Sequence, residues 1–206
     1  MRLLPILAVP FILSLLVGCE SERAAAKVEP AAPDAGKPMD DEQAKLAADI
    51  AALAAGKDLS EAKASKQYDD AIARLIQRGS SIETTLIDHL RRSEDWGVRL
   101  GLIEVLMATG TKVSVEHLIV CLDDPEPLVA LRANTTLQEM TNHAEIPEGG
   151  GAGANGLPPV PKPPDSDLAL DAELRQWALW HREHHARLRQ AWAAWWATNK
   201  DQVTIK

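Results

Sequence analysis

The apolar positions of this chain fall into a succession of helical stripes. Across residues 43–55, Leu46, Ile50 and Leu53 recur at spacings of four and three among alanines, predicting a helix with one narrow apolar face, stopped by Gly56. A second helix over 60–78 gathers Tyr68, Ile72, Leu75 and Ile76 on one side and ends at Gly79. Ser80, with Glu83 three residues on, predicts a capping box for a third helix that runs to 92 with Ile82, Leu86, Ile87 and Leu90 inward. A fourth, over 96–108, turns Val98, Leu102, Val105 and Leu106 inward, with Gly110 just beyond. No period-2 alternation runs long enough to predict a strand, and Val113-Ser114-Val115 is read as a helix start.

Two of these segments repeat. Leu-Ile-Asp-His-Leu at 86–90 matches Leu-Ile-Val-Cys-Leu at 118–122, an offset of 32. An acidic turn follows each, Ser93-Glu94-Asp95 and Asp123-Asp124-Pro125. Val98 then matches Val129 and Leu106 matches Leu137, an offset of 31. A period just over thirty with two helices per unit marks an α-solenoid. In the second turn an Asp is expected to cap the next helix, and the Pro sits where no N–H partner is needed.

On Asp-Trp-Gly-Val-Arg at 95–99 and Asp-Pro-Glu-Pro-Leu-Val at 124–129, the chain resembles bacterial HEAT-repeat proteins over about residues 68–141. The resemblance implies an all-α, short solenoid of helical hairpins, in which Arg99 pairs with a turn aspartate. The second unit departs from the pattern: Ala130 follows Val129, and Arg132 comes two residues later, so no such pair is implied there. Solenoids bind along the surface of one helical layer. Arg99, Glu104, Arg132 and Gln138 are therefore the candidate partner-binding residues, and the partner is expected to be another protein.

The N-terminus carries a different signal. Met1-Arg2 precedes an apolar run from Leu3 to Val17, too short for a spanning helix, which closes in Leu16-Val17-Gly18-Cys19. This resembles a bacterial lipoprotein signal and implies removal of residues 1–18 and acylation of Cys19, which would anchor the chain in a membrane. Glu20 after the cysteine resembles outer-membrane retention, facing the periplasm. Residues 19–41 are rich in Ala, Pro and charge and hold scarcely any large apolar side chain, so they read as a flexible tether spanning about 25 Å on average. The helical repeat domain then occupies 42–146.

Residues 147–165 hold a glycine run followed by Pro-Pro-Val-Pro-Lys-Pro-Pro, expected to act as a spacer. Asp165, Ser166 or Asp167 can cap a long helix over 166–199. Its stripe holds Leu170, Leu174, Trp177, His181, His184, Leu188, Trp192 and Trp195, flanked by Trp180 and Trp196. Five of the six tryptophans lie in this one helix. Because each can bury roughly 150–250 Å², the helix is expected to pack back on the last repeat as a cap. Two alternatives compete. Arg175, Arg182, Arg187 and Arg189 border the stripe and suit membrane docking, and His181, His184 and His185 offer a weak metal site, with His181 and His185 at i and i+4.

Composition narrows the function. The chain has 206 residues, with 22 Lys and Arg against 30 Asp and Glu, a formal charge of −8 that argues against nucleic-acid binding. With only two cysteines and Cys19 modified, Cys121 has no partner for a disulfide. Neither a GxSxG elbow nor a phosphate loop with its Lys and hydroxyl is present, and Cys121 falls inside an apolar helix, where a thiol is inert. The expected protein is a non-catalytic binding or scaffold module without cofactor.

Overall fold

The structure is a computed structural model and describes residues 41–58, 60–147, 153, 155–162 and 170–205. The expected lipoprotein signal with Cys19, the expected tether to residue 40 and the caps expected at Asp165 to Asp167 lie outside the described residues. Among the described residues every regular element is helical: α1 (Asp41–Ala52), a 3-10 turn (Leu53–Asp58), α2 (Ala62–Gln77), a second 3-10 turn (Gly79–Ile82), α3 (Glu83–Arg92), α4 (Trp96–Thr109), α5 (Lys112–Cys121), α6 (Pro127–Thr141) and α7 (Leu170–Asn199). All belong to one unit, Met39–Lys206. No described helix is long and apolar enough to cross a membrane.

Neighbouring helices pack on one another. α3 lies against α4 and α5 against α6, while α2, α4 and α6 stand side by side and α3 touches α5. α4 is the centre of this arrangement, because α2, α3, α6 and the first 3-10 turn all pack on it. Periodicity predicts one apolar face for α4, yet Leu100 and Ile103 are buried along with Val98, Leu102, Val105 and Leu106. A helix covered on all sides is apolar all round. Gly101 makes that possible, since a Cβ there would stand 2.8 Å from Leu53 Cδ2 and push the first 3-10 turn away.

The termini show where local signals held and where they were diverted. Gly79 adopts φ 63° after the C-cap of α2, the left-handed stop that glycine favours. Gly56 does not end α1, which stops at Ala52 and tightens into the 3-10 turn. A Cβ at Gly56 would meet Tyr68 Cε2 at 2.7 Å, so the position serves close packing. Asp95 caps α4 by accepting from the backbone N–H of Gly97 at 2.9 Å and of Val98 at 3.3 Å. In the second turn Glu126 takes the cap and Pro127 the first helical position, correcting the expected Asp cap with Pro125.

The capping box at Ser80–Glu83 does not form, because Ser80 falls within the 3-10 turn and α3 begins at Glu83, with Ile82 as its N-cap and no side-chain cap. Glu83 turns instead to α5, where it accepts from Thr111 N at 2.7 Å and from the Thr111 and Ser114 hydroxyls. Burial opposes ionisation, but these donors outweigh it and hold the carboxyl below its ordinary pKa of 4.5. Its stabilisation is therefore present above that pH and lost as pH falls through the lowered folded value. Glu83→Ala, which strands the Thr111 and Ser114 donors, is expected to cost about 1–3 kcal/mol at neutral pH. Urea titrations from neutral to acid pH will show the gap from the parent closing below 4.5; a gap that persists there would rule out this coupling.

Candidate interaction surfaces

Charged side chains join each turn to the neighbouring helical pair. Lys57 pairs with Asp95 at the α3–α4 turn. Arg99 of α4 grips Asp124 at the α5–α6 turn through two parallel bonds, Nε to Oδ2 at 2.7 Å and Nη2 to Oδ1 at 2.8 Å. Its Nη1 also donates to the carbonyls of Ser93 and Glu94. The pair is well covered, with side-chain exposures of 13% and 7%. Arg99 thus reaches forward to the aspartate of the α5–α6 turn, while Asp95, before its own helix, serves as a cap. At the last turn α7 supplies the partners: His185 Nδ1 lies 2.9 Å from Asp123 Oδ1, and the Arg189 guanidinium Nη1 lies 2.9 Å from Asp123 Oδ2. Ala130 stands in α6 where α4 carries Arg99, and Asp123 takes its partners from α7 instead.

A second series links α2, α4 and α6. The Tyr68 hydroxyl donates to Glu104 at 3.0 Å, and Arg132 pairs with the other Glu104 oxygen at 2.9 Å. Burial, then the Glu104 carboxylate, raises the Tyr68 pKa, which keeps the phenol a donor. Three of the four candidate partner-binding residues therefore have internal contacts: Arg99 in a buried pair, Glu104 and Arg132 in a half-exposed one. Arg99 also borders a cavity together with Asp124, whereas Gln138 opens onto a different concavity.

That concavity is a groove of about 610 Å³ beside α6. Leu128 and Leu131 floor it, Trp177 and Leu174 of α7 form one wall, and Pro159-Val160-Pro161 the other. Gln138, Lys162 and Glu173 stand at its rim. Part of the expected spacer thus belongs to the folded body. Leu157 is fully buried, Asn155 donates to the Glu145 carbonyl at 2.7 Å, and Trp180 Nε1 donates to the Pro158 carbonyl at 3.1 Å. Glycine and proline counts did not register that one leucine and one asparagine tie this segment down.

α7 lies across α5 and α6. Trp177, Trp180, Trp192 and Trp196 are each at most 4% exposed. Trp177 Nε1 donates to the Pro127 carbonyl at 2.8 Å, and Trp192 Nε1 to Asn134 Oδ1 at 3.1 Å. Trp195 stacks flat on His143 with centroids 4.0 Å apart, and His143 meets Glu145 at 2.8 Å. The indoles that a docking helix would offer to a membrane face the interior.

The three candidate metal ligands sit along this seam with separate partners. His181 is buried, donates from Nε2 to the Leu122 carbonyl at 2.7 Å, and has its pKa lowered by burial. His184 meets Trp180 edge-on, and His185 pairs with Asp123. Among the described residues no three His, Cys, Asp or Glu side chains gather to hold an ion. Burial pushes the Cys121 thiol up to about 12, so it stays protonated. No protein-family model, curated protein or solved structure matches the chain.

Proposed function

We propose that this chain is a lipid-anchored, non-catalytic binding module of the bacterial cell envelope. In this reading acylated Cys19 holds it in a membrane, HEAT-like hairpins form its body, the tryptophan helix caps the last hairpin, and a protein partner docks on the helical surface. The groove beside α6 carries the reading. It is lined mostly by apolar side chains of α6, α7 and the proline segment with a few polar ones, Asn134, Thr135, Gln138, Lys162 and Glu173, the character of a ligand site. Its shape suits an extended partner segment that places apolar side chains on Leu128 and Leu131 while Gln138 and Lys162 meet its backbone or acids. Support for a non-catalytic role comes from titratable groups elsewhere on the helices that are engaged in structural contacts: His181 on a carbonyl, His185 and Arg189 on Asp123, and Glu104 on Tyr68 and Arg132.

A photo-crosslinker at position 138 of the full-length protein, expressed in its own cells, tests this. One defined protein is expected to crosslink, and Leu131→Glu, which puts a charge on the groove floor, is expected to cut that yield about ten-fold for a loss near 1.4 kcal/mol. The circular dichroism spectrum should be unchanged. Equal yield from Leu131→Glu, or the same product from a crosslinker at Val113 on α5, would overturn the assignment.

A further inference from the structure

Asn134 lines the groove beside α6 although it is only 4% exposed. Its Oδ1 accepts from Trp192 Nε1 at 3.1 Å. An indole N–H can only donate, so it must meet the oxygen of the carboxamide, and this fixes which way the group is turned. The nitrogen end then points away from Trp192, and no acceptor among the described residues takes its protons. The side-chain polar atoms sealed in without a partner are Thr136 Oγ1 and Trp196 Nε1. Asn134 Nδ2 is not one of them, so it reaches the groove that its residue lines. A buried amide donor left without an acceptor costs free energy, and a ligand carbonyl placed there recovers it.

Gln138, one turn further on, is half-buried, and neither end of its carboxamide has a partner among the described residues. Thr135 beside it is already satisfied by the Leu131 carbonyl at 3.0 Å. Asn134 and Gln138 share one face of α6 and stand about 6 Å apart along its axis. Main-chain groups of an extended chain point the same way at every second residue, about 6.6 Å. A segment laid along α6 therefore brings one residue to Asn134 and the residue two positions away to Gln138. The two sites differ in what they can serve. Gln138 can donate to a carbonyl and accept from an N–H, whereas Asn134, with its oxygen turned to Trp192, can only donate. An N–H facing Asn134 would meet a second donor. Proline offers the carbonyl and has no N–H.

The molecule already uses this pairing, since the indoles of Trp177 and Trp180 donate to the carbonyls of Pro127 and Pro158. Trp177 and Pro159-Val160-Pro161 give the groove two apolar walls. Lys162 and Glu173 stand on opposite walls, without an ion pair among the described residues, and complement an acid and a base on the two flanks of a ligand. From Leu128 to Gln138 the floor runs about 15 Å, the span of four or five extended residues.

We propose that the α6 groove selects an extended segment of another protein, with a proline opposite Asn134 and a non-proline residue two positions away opposite Gln138. The proposal rests on the binding-module reading and names the partner class for it.

The test titrates the full-length protein against the fluorescent peptide acetyl-Glu-Leu-Pro-Val-Leu-Pro-Lys-amide, which offers this pattern in either chain direction, and follows its anisotropy. Saturable binding is expected, and alanine in place of both prolines should weaken it about five-fold, the loss of one hydrogen bond. Gln138→Met should weaken it by a similar factor with Tm unchanged, because Gln138 has no internal partner. Asn134→Asp keeps an acceptor for Trp192 and turns an oxygen toward the groove, so the preference should reverse in favour of the alanine peptide. Should that variant unfold, the two peptides and Gln138→Met still decide the matter. Absence of saturation up to about 1 mM, equal affinity for the two peptides, or Gln138→Met binding as the parent does would overturn the proposal. Crosslinking from position 138 in cells separates the two ideas. A captured protein joined through a proline-free segment sinks the proline preference alone. Peptide selectivity as expected, with no protein captured in cells, sinks the binding-module reading alone.

Discussion

Trp192→Ala is expected to lower stability by about 3–5 kcal/mol, the range for removing a fully buried aromatic side chain. Trp192 is fully buried, its indole edge meets His143 at 5.3 Å, and its Nε1 donates to Asn134 Oδ1 at 3.1 Å. Alanine would leave a void between α6 and α7 and strand the amide of Asn134, itself only 4% exposed. At about 2–4 °C per kcal/mol for a domain of this size, Tm should fall by roughly 8–15 °C. Trp192→Phe separates the two contributions, because it keeps most of the packing and loses the hydrogen bond, at a cost of about 1 kcal/mol beyond the lost area. Unfolding followed by far-ultraviolet circular dichroism measures both without relying on the altered fluorophore set. As a control on the same helix, Leu179→Ala should change stability by no more than about 0.5 kcal/mol. A Trp192→Ala effect as small as that control would mean that α7 does not pack on α6.

How much of this was legible beforehand depended on whether the determining contact was local. Helix positions were legible because Leu86, Leu90, Leu102 and Leu106 repeat at a period the backbone imposes. The stop at Gly79 was legible because it acts within a few residues, whereas the Asp cap expected in the second turn falls to Glu126, and Asp95 caps α4 without having been singled out. The inward stripe of α7 followed from spacing alone, although Trp180, off that stripe, is buried by the segment around Pro158, which nothing in the helix itself announces. Glu83 shows the limit most plainly. The short-range rule assigns it to its own helix, but the donors at Thr111 and Ser114, 28 and 31 residues away, compete and win once α5 is in place. The candidate surface was least legible. Arg99, Glu104 and Arg132 were chosen as polar residues on second helices, and polarity alone does not distinguish a side chain facing solvent from one facing the next helix. Gln138 borders a groove whose far wall is a proline segment, and that wall exists only because Leu157 and Asn155 fasten it.

The Arg99–Asp124 pair gives the other large expected effect and separates two roles for Arg99. Arg99→Ala is expected to cost about 3–5 kcal/mol, because it leaves the Asp124 carboxylate, 7% exposed, without its counter-charge. Asp124→Ala should cost a similar amount, since it strands a guanidinium that is 13% exposed and removes the acceptor of the Glu126 N–H. Much of each loss is the penalty of an uncompensated buried charge rather than the worth of the pair, so Arg99→Met with Asp124→Leu should recover most of it. The thermodynamic cycle should return a coupling of about 2–3 kcal/mol by urea denaturation. The Arg132–Glu104 pair provides the contrast: its side chains are 37% and 20% exposed, and its cycle should give no more than about 1 kcal/mol. If Arg99 instead served a partner directly, Arg99→Ala would leave unfolding unchanged and abolish crosslinking from position 138. If it holds the turns together, stability falls first and crosslinking fails only where the protein unfolds, and the double substitution, having restored the fold without restoring the charges, would crosslink as the parent does.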